Sequence, residues 1–464
     1  MTITFEAKLA RYAVDLANTP LLDQVMHEAK TRVIDTIGCA LGALDAPPVV
    51  SIRLLSSEMN GPGLKSSVWG SPMHIHPEMA AFVNGVACRY LDFNDIYLGV
   101  EACHPSDNLP AAWAVAESER RSGHELLTAV TVGYQIHCLL ADTASLKEHG
   151  FDNVLYGAIA ASVMAGILLH LTADEITEAI RITATSSVAL LQTRVGELSM
   201  WKGMAAAHAA KNGVFGAYLA RYGITGPGEI FEGKKGLISV VTHQFEPPAL
   251  TTSSHSFKLL ETRLKPFAAQ YFLQTVIECA GRLRSRVELA DISAVKVETF
   301  DYAYEVAAND PEKWHPSTRE TADHSLPYCI AMALLHGTVG PESFESDDWN
   351  NPVVQDVMAK VTVAIHPDLS SQYPAYTPAT VTITTRQGAT IIESASIPLG
   401  HPHRPLSNAA IEEKFKKLVC RCLSEDEAIV LFDGLHHLDD LNVLPSMPHM
   451  IHRGSLQKSR LEVL

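Results

Sequence analysis

For most of its length the chain carries apolar residues at helical spacing. Residues 5 to 17 and 20 to 44 place them three and four apart, with Leu22, Val25, Met26, Ala29, Val33 and Ile37 on one face. Pro47 and Pro48 are expected to end the second helix. The pattern next predicts a helix starting at Pro77, then four in close succession over 108 to 121, 124 to 144, 153 to 170 and 173 to 191. Thr172 with Glu175 three residues later is the capping box of the last. The third, AIAASVMAGILLHL, is apolar nearly all round, which suits an inner layer of a helical bundle or a buried subunit contact. A helix over 203 to 222, an irregular stretch through Ser256 and a helix over 270 to 285 follow.

There the period changes from 3.6 to 2. ISAVKVETF, KVTVAI, and the pair ATVTITT and ATIIESASI joined by Arg386-Gln387-Gly388 alternate with β-branched residues and predict strands with one hairpin. Helices return at 407 to 419 and 424 to 434. The expected fold is mostly α: a large all-helical domain built from both chain ends, residues 1–266 and 405–464, with an inserted smaller α+β domain over 267–404.

A chain of 464 residues exceeds what one core usually serves, and 47% hydrophobic residues supply a sizeable interior. The formal net charge of -16 repels phosphate backbones and anionic lipid, so neither nucleic acid nor a membrane is an expected partner. An anionic substrate would need a local basic pocket. The eight cysteines fall mostly inside apolar runs, Met1 to Ala17 is interrupted by charge where a signal peptide would not be, and no apolar run approaches a membrane span. A reducing cytoplasm is expected.

Candidate chemistry begins at Tyr90 to Pro110, YLDFNDIYLGVEACHPSDNLP, a polar island between apolar helices. Asp92 and Asp95 share a face if the helix continues that far, and His104 follows. A carboxylate near an imidazole makes a general base or acid. Alternatively, Asp107 or Asn108 caps the next helix and His104 is merely hydrogen-bonded. Lys202 lies at the start of an Ala-rich helix, either as a surface lysine or as a partner for a bound carboxylate, and Arg194 invites the same two readings. Lys265 to Gln274 (KPFAAQYFLQ) and Thr321 to Tyr328 (TADHSLPY) place polar groups before apolar helices, with His324 and Tyr328 four apart. A capped helix start accounts for either segment equally.

Other motifs fail on inspection. Gly228 to Lys235 misses a phosphate-binding loop by one residue, Lys235, and no strand precedes it. No G-x-G-x-x-G follows a strand. His74 and His76, or His401 and His403, lack supporting metal ligands, and Cys420-x-Cys422 lacks a cluster spacing.

Five ordered motifs nevertheless carry a likeness: LDFNDIYLGVEACHPSDNL at 91 to 109, GELSMWKGMAAAHAAKNGV at 196 to 214, GITGPGEIFEG at 223 to 233, TADHSLPY at 321 to 328 and GHPHRPLSN at 400 to 408. Through them the chain resembles the 2-methylcitrate dehydratase family, MmgE/PrpD, over essentially its full length. The resemblance implies a helical domain with an inserted α+β lid, a homodimer, no metal and no cofactor. It also implies a small di- or tricarboxylate substrate. Members dehydrate 2-methylcitrate, decarboxylate cis-aconitate or epimerise iminodisuccinate, each through a carbanion or enolate-like centre beside a carboxylate.

Asp92, His104, Lys202 and Tyr328 match the family's aspartate, its HPS histidine, its lysine and its SLPY tyrosine. The span from Asp92 to His104 resembles the dehydratase branch. Ile96 stands where dehydratases commonly have Thr, Phe151 and Asp152 where decarboxylases have a histidine, and Tyr271 or Phe272 where the family has another histidine. The expected catalytic set is Asp92, His104, Lys202, Tyr271 and Tyr328, with Asp95, Arg194, Lys265, Gln274 and His324 binding substrate. The expected activity is a cofactor-independent hydro-lyase on a tricarboxylate such as 2-methylcitrate. The alternatives are an epimerase, isomerase or decarboxylase of a related acid, or a dimeric carboxylate-binding protein.

Overall fold

A computed structural model describes residues 3–59, 61–251, 257–447 and 450. The last part of the predicted closing segment, residues 451–464, lies outside them, as does most of the end of the irregular stretch, 252–256. The protein is mostly α, with one four-stranded sheet and two two-stranded ribbons among the described residues. Helix Phe5–Ala17 has the predicted bounds, and both ends of the Ser122 and Thr172 capping boxes are formed.

One expectation fails at its first proline. Pro47 and Pro48 do not merely end a helix; they begin another, Pro47–Glu58, because a residue without an N–H costs nothing in a first helical turn.

Helix Val154–Leu168 is buried on nearly every side, as its unbroken apolar sequence requires. It packs against Trp201–Arg221, the helix that begins with Trp201 and Lys202. The crossing depends on Gly213, where a Cβ would stand 2.6 Å from the Ala158 carbonyl oxygen and 2.7 Å from the Ala161 Cβ. A close backbone approach thereby fixes where Lys202 enters the interior.

The largest apolar cluster draws on residues from Phe5 to Leu264 and again from Ile411 to Met450. A second draws on Ala269 to Ile383. Lys414, on helix Asn408–Val419, binds the two chain ends together behind the polar island. Its ammonium lies 2.6 Å from the Asp35 carboxylate and donates to the carbonyls of Phe93 (2.8 Å) and Lys265 (3.0 Å).

The four predicted strands form one sheet in the order Val361–Ile365, Ile292–Thr299, Ala379–Thr385, Thr390–Ala395. The first pair is parallel and the others antiparallel, and Gly388 at φ 83° turns the predicted hairpin.

Candidate active site

Helix Pro77–Tyr90 stops short of the first aspartate. Asp92 adopts φ 48°, the left-handed region that aspartate tolerates better than most side chains, so Asp92 and Asp95 share no helical face. The turn sends them in different directions. Asp95 accepts the Ser106 hydroxyl at 2.5 Å, the Ser106 N–H at 3.2 Å and the Tyr134 hydroxyl at 2.7 Å. It holds the loop carrying His104 in place.

Asp92 instead becomes the centre of a buried cluster. Its carboxylate pairs with Arg89, with Lys265 at 2.9 Å and with Lys202 at 3.3 Å, and the Lys265 ammonium also donates to the Asp92 carbonyl at 2.7 Å. Burial alone would raise this carboxyl's pKa, but the three cations hold it well below the usual range. Burial lowers Lys202, and brings Lys265 down to about 8.

His104 is oriented by Asp95 and Arg89, not by the Asp92 carboxylate as the sequence pattern suggested. Its Nδ1–H donates to the Asp95 carbonyl at 2.6 Å, and its Nε2 accepts from Arg89 Nη2 at 3.0 Å. A carbonyl only accepts and a guanidinium only donates, which fixes the tautomer. Burial, then Arg89 and Lys265, press the imidazole pKa well below its ordinary value. His104 is therefore a neutral imidazole at pH 7, the state a base requires.

From the other core cluster come Asp323 and His324. Asp323 is buried, bonded to His324 Nδ1 and to Arg319 at 3.0 Å, and lies 3.9 Å from Lys202. His324 Nε2 stands 3.6 Å from the second Asp92 oxygen. Ligand atoms of Asp92, Asp323 and His324 lie within 4.8 Å of one another, the one spacing among the described residues that would admit a metal ion. Both carboxylates, however, already carry ammonium or guanidinium partners, so the donor set suits an anion better than a cation.

The structure thus brings Asp92, His104, Lys202, Lys265 and His324 together. It places four other candidates elsewhere. The Tyr328 hydroxyl donates to the Ser343 carbonyl within the second core. Tyr271 packs among Ile96, Phe272 and Phe300, with Arg263 beside its ring. Gln274 spends its amide on the backbone of Phe267, Ala269 and Gln270. Arg194 pairs with buried Asp152 at 3.0 Å, although its charge still reaches Lys202. His74 and His76 bond to the Pro72 and Pro62 carbonyls.

Arg89, Arg319 and Asp323 were not expected. Each had a faint signal: Arg89 lies three residues before Asp92, Arg319 four before Asp323, and Asp323 directly before His324.

Comparison with known proteins gives two family matches. The MmgE/PrpD N-terminal domain matches residues 7–249 and the MmgE/PrpD C-terminal domain residues 267–435. The chain is 27% identical over 450 residues to a cis-aconitate decarboxylase of Homo sapiens, covering 92% of this chain and 91% of the relative. It is 27% identical over 423 residues to a 2-methylcitrate dehydratase of Cupriavidus necator, covering 85% of each. With a 2-methylcitrate dehydratase of Salmonella typhimurium it shares 26% over 450 residues, 89% of this chain and 90% of the relative. These identities do not separate the two activities.

Proposed function

The chain belongs to the MmgE/PrpD family, and on that premise we propose that it dehydrates a small tricarboxylate of the 2-methylcitrate type by acid/base catalysis without a cofactor. The observation that carries this reading is a neutral His104 beside a buried knot of Arg89, Lys202 and Lys265 gathered on one carboxylate. A substrate carboxylate can exchange with Asp92 for the two ammonium groups. They would then oppose the charge that builds as His104, its Nε2 released when Arg89 turns to the bound carboxylate, takes a proton from the adjacent carbon.

In this reading residues 267–404 are the lid, since Asp323 and His324 reach the site from their core, and the described residues of 1–266 and 405–464 form the helical domain. The homodimer would cover the exposed apolar face of helix Trp201–Arg221, where Trp201 and Phe215 lie about four turns apart on one side. No helix among the described residues is long and apolar enough to cross a membrane, and all eight cysteines are free, as a cytoplasmic protein would have them.

A second reading, decarboxylation, has the human relative in its favour. The test is a panel of di- and tricarboxylates followed by NMR in deuterated water, which resolves dehydration, decarboxylation and epimerisation in one assay. Loss of water from 2-methylcitrate supports the first reading. Carbon dioxide release or deuterium uptake without elimination replaces it. Binding without turnover or exchange would leave a carboxylate-binding protein.

Affinity supplies a pH signature. Lys265 is cationic below about pH 8 and neutral above it. Binding of an unreactive tricarboxylate, followed by calorimetry, is expected to hold up to that pH and then weaken by about tenfold as one charged hydrogen bond is lost. Lys265→Arg should keep the affinity level across the same range.

A further inference from the structure

Resting on the dehydratase reading, we infer that His324 is the acid that protonates the departing hydroxyl, with Asp323 as its positioning residue. A dehydration needs two proton carriers, and His104 accounts for one. The tyrosines that might have supplied the other lie outside the cluster: Tyr328 donates to the Ser343 carbonyl, and Tyr271 packs in a separate apolar cluster with Arg263 beside its ring. His324 is free to do so. Its Nδ1 is fixed by the Asp323 carboxylate, which Arg319 anchors from behind, and its Nε2 faces Asp92.

The backbone around it is pinned as well. The His324 N–H donates to the Thr321 carbonyl at 3.1 Å, and the Ser325 hydroxyl caps helix Leu326–His336. Its side chain keeps 12% exposure, so the ring edge is not sealed from a ligand.

The two histidines are set in opposite fields. His104 Nε2 accepts from Arg89 and carries no proton to give, whereas a proton on His324 Nε2 creates an imidazolium against a carboxylate. In the ligand-free protein burial and the Lys202 ammonium hold His324 down at about 4, against the support of Asp323 and Asp92. A substrate carboxylate that pairs with Lys202 cancels that charge, and the ring takes up a proton as the substrate binds. In the reaction His104 takes the proton from carbon and the C–H electron pair becomes the double bond. The C–O bond breaks with its electrons on oxygen, and His324 gives that oxygen its proton. Water leaves, and the two rings return to their starting states through solvent.

The experiment compares 2-methylcitrate with its analogue bearing chlorine in place of the departing hydroxyl, since chloride leaves without a proton. His324→Gln is expected to slow the hydroxyl substrate by about 10²-fold or more while staying within about threefold of the native protein on the chloro analogue. His104→Asn should slow both. Calorimetry of tricarballylate binding in buffers of different ionisation enthalpy should show about one proton taken up by the native protein, and little by His324→Gln or Asp323→Asn. His324→Asn, with a melting curve for each variant, guards against a folding defect.

Native-like dehydration by His324→Gln would overturn the inference, as would equal loss on both substrates. Proton uptake unchanged in Asp323→Asn would overturn the role given to that residue. A native protein inert on both substrates would instead sink the dehydratase reading, and the inference with it.

Discussion

His104→Asn is expected to lower turnover by about 10²–10⁴-fold on whichever carboxylate the protein accepts, the range removed with a positioned acid or base. The fold should survive. The ring makes two hydrogen bonds, to the Asp95 carbonyl and from Arg89, and Arg89 keeps Asp92, Asn94 and Asp107 without it. Because His104 is already neutral at pH 7, the defect should not be relieved by moving to higher pH. A folded variant with native turnover, judged by melting curve and initial rates together, would remove His104 from the mechanism.

The chemistry of this site was visible in the sequence where polar residues interrupted an apolar pattern. His104, Lys202, Lys265 and His324 stood out for that reason, and the structure gathers them around Asp92 from segments more than two hundred residues apart. What the pattern concealed was direction. His324 and Tyr328 are four apart, but Ser325 caps a helix that begins at Leu326, so they do not share a turn of it. Tyr328 turns into its own core while His324 faces the neighbouring one.

Arg89 and Asp323 were overlooked for the opposite reason. A charged residue at a helix end is ordinarily solvated, and periodicity cannot tell that another segment will cover it. The strands and the main helices were legible because each is specified locally, by alternation, capping or unbroken apolar sequence. Pro47 was misjudged because proline ends one helix and starts the next with equal ease.

The largest effect on stability is expected at Asp92. Asp92→Ala leaves Arg89, Lys202 and Lys265 buried without their shared carboxylate, a loss of about 3–5 kcal/mol by the measure of a broken buried pair. It also forces alanine into the left-handed region, which adds about 1–2 kcal/mol. Asp92→Asn, which tolerates that backbone and keeps an acceptor, should fall between alanine and the native protein. The native carboxyl is held below its unfolded value, so its contribution is complete above that value and is lost as the pH falls through the folded one. Either substitution should therefore flatten the acid side of the stability curve. If the knot of cations is a carboxylate site, an added tricarboxylate fills the hole that alanine leaves, and it should raise the melting temperature of Asp92→Ala more than that of the native protein. Denaturant midpoints and melting curves with and without tricarballylate measure both effects. A variant as stable as the native protein and indifferent to the anion would mean that these cations neither need Asp92 nor await a substrate in its place.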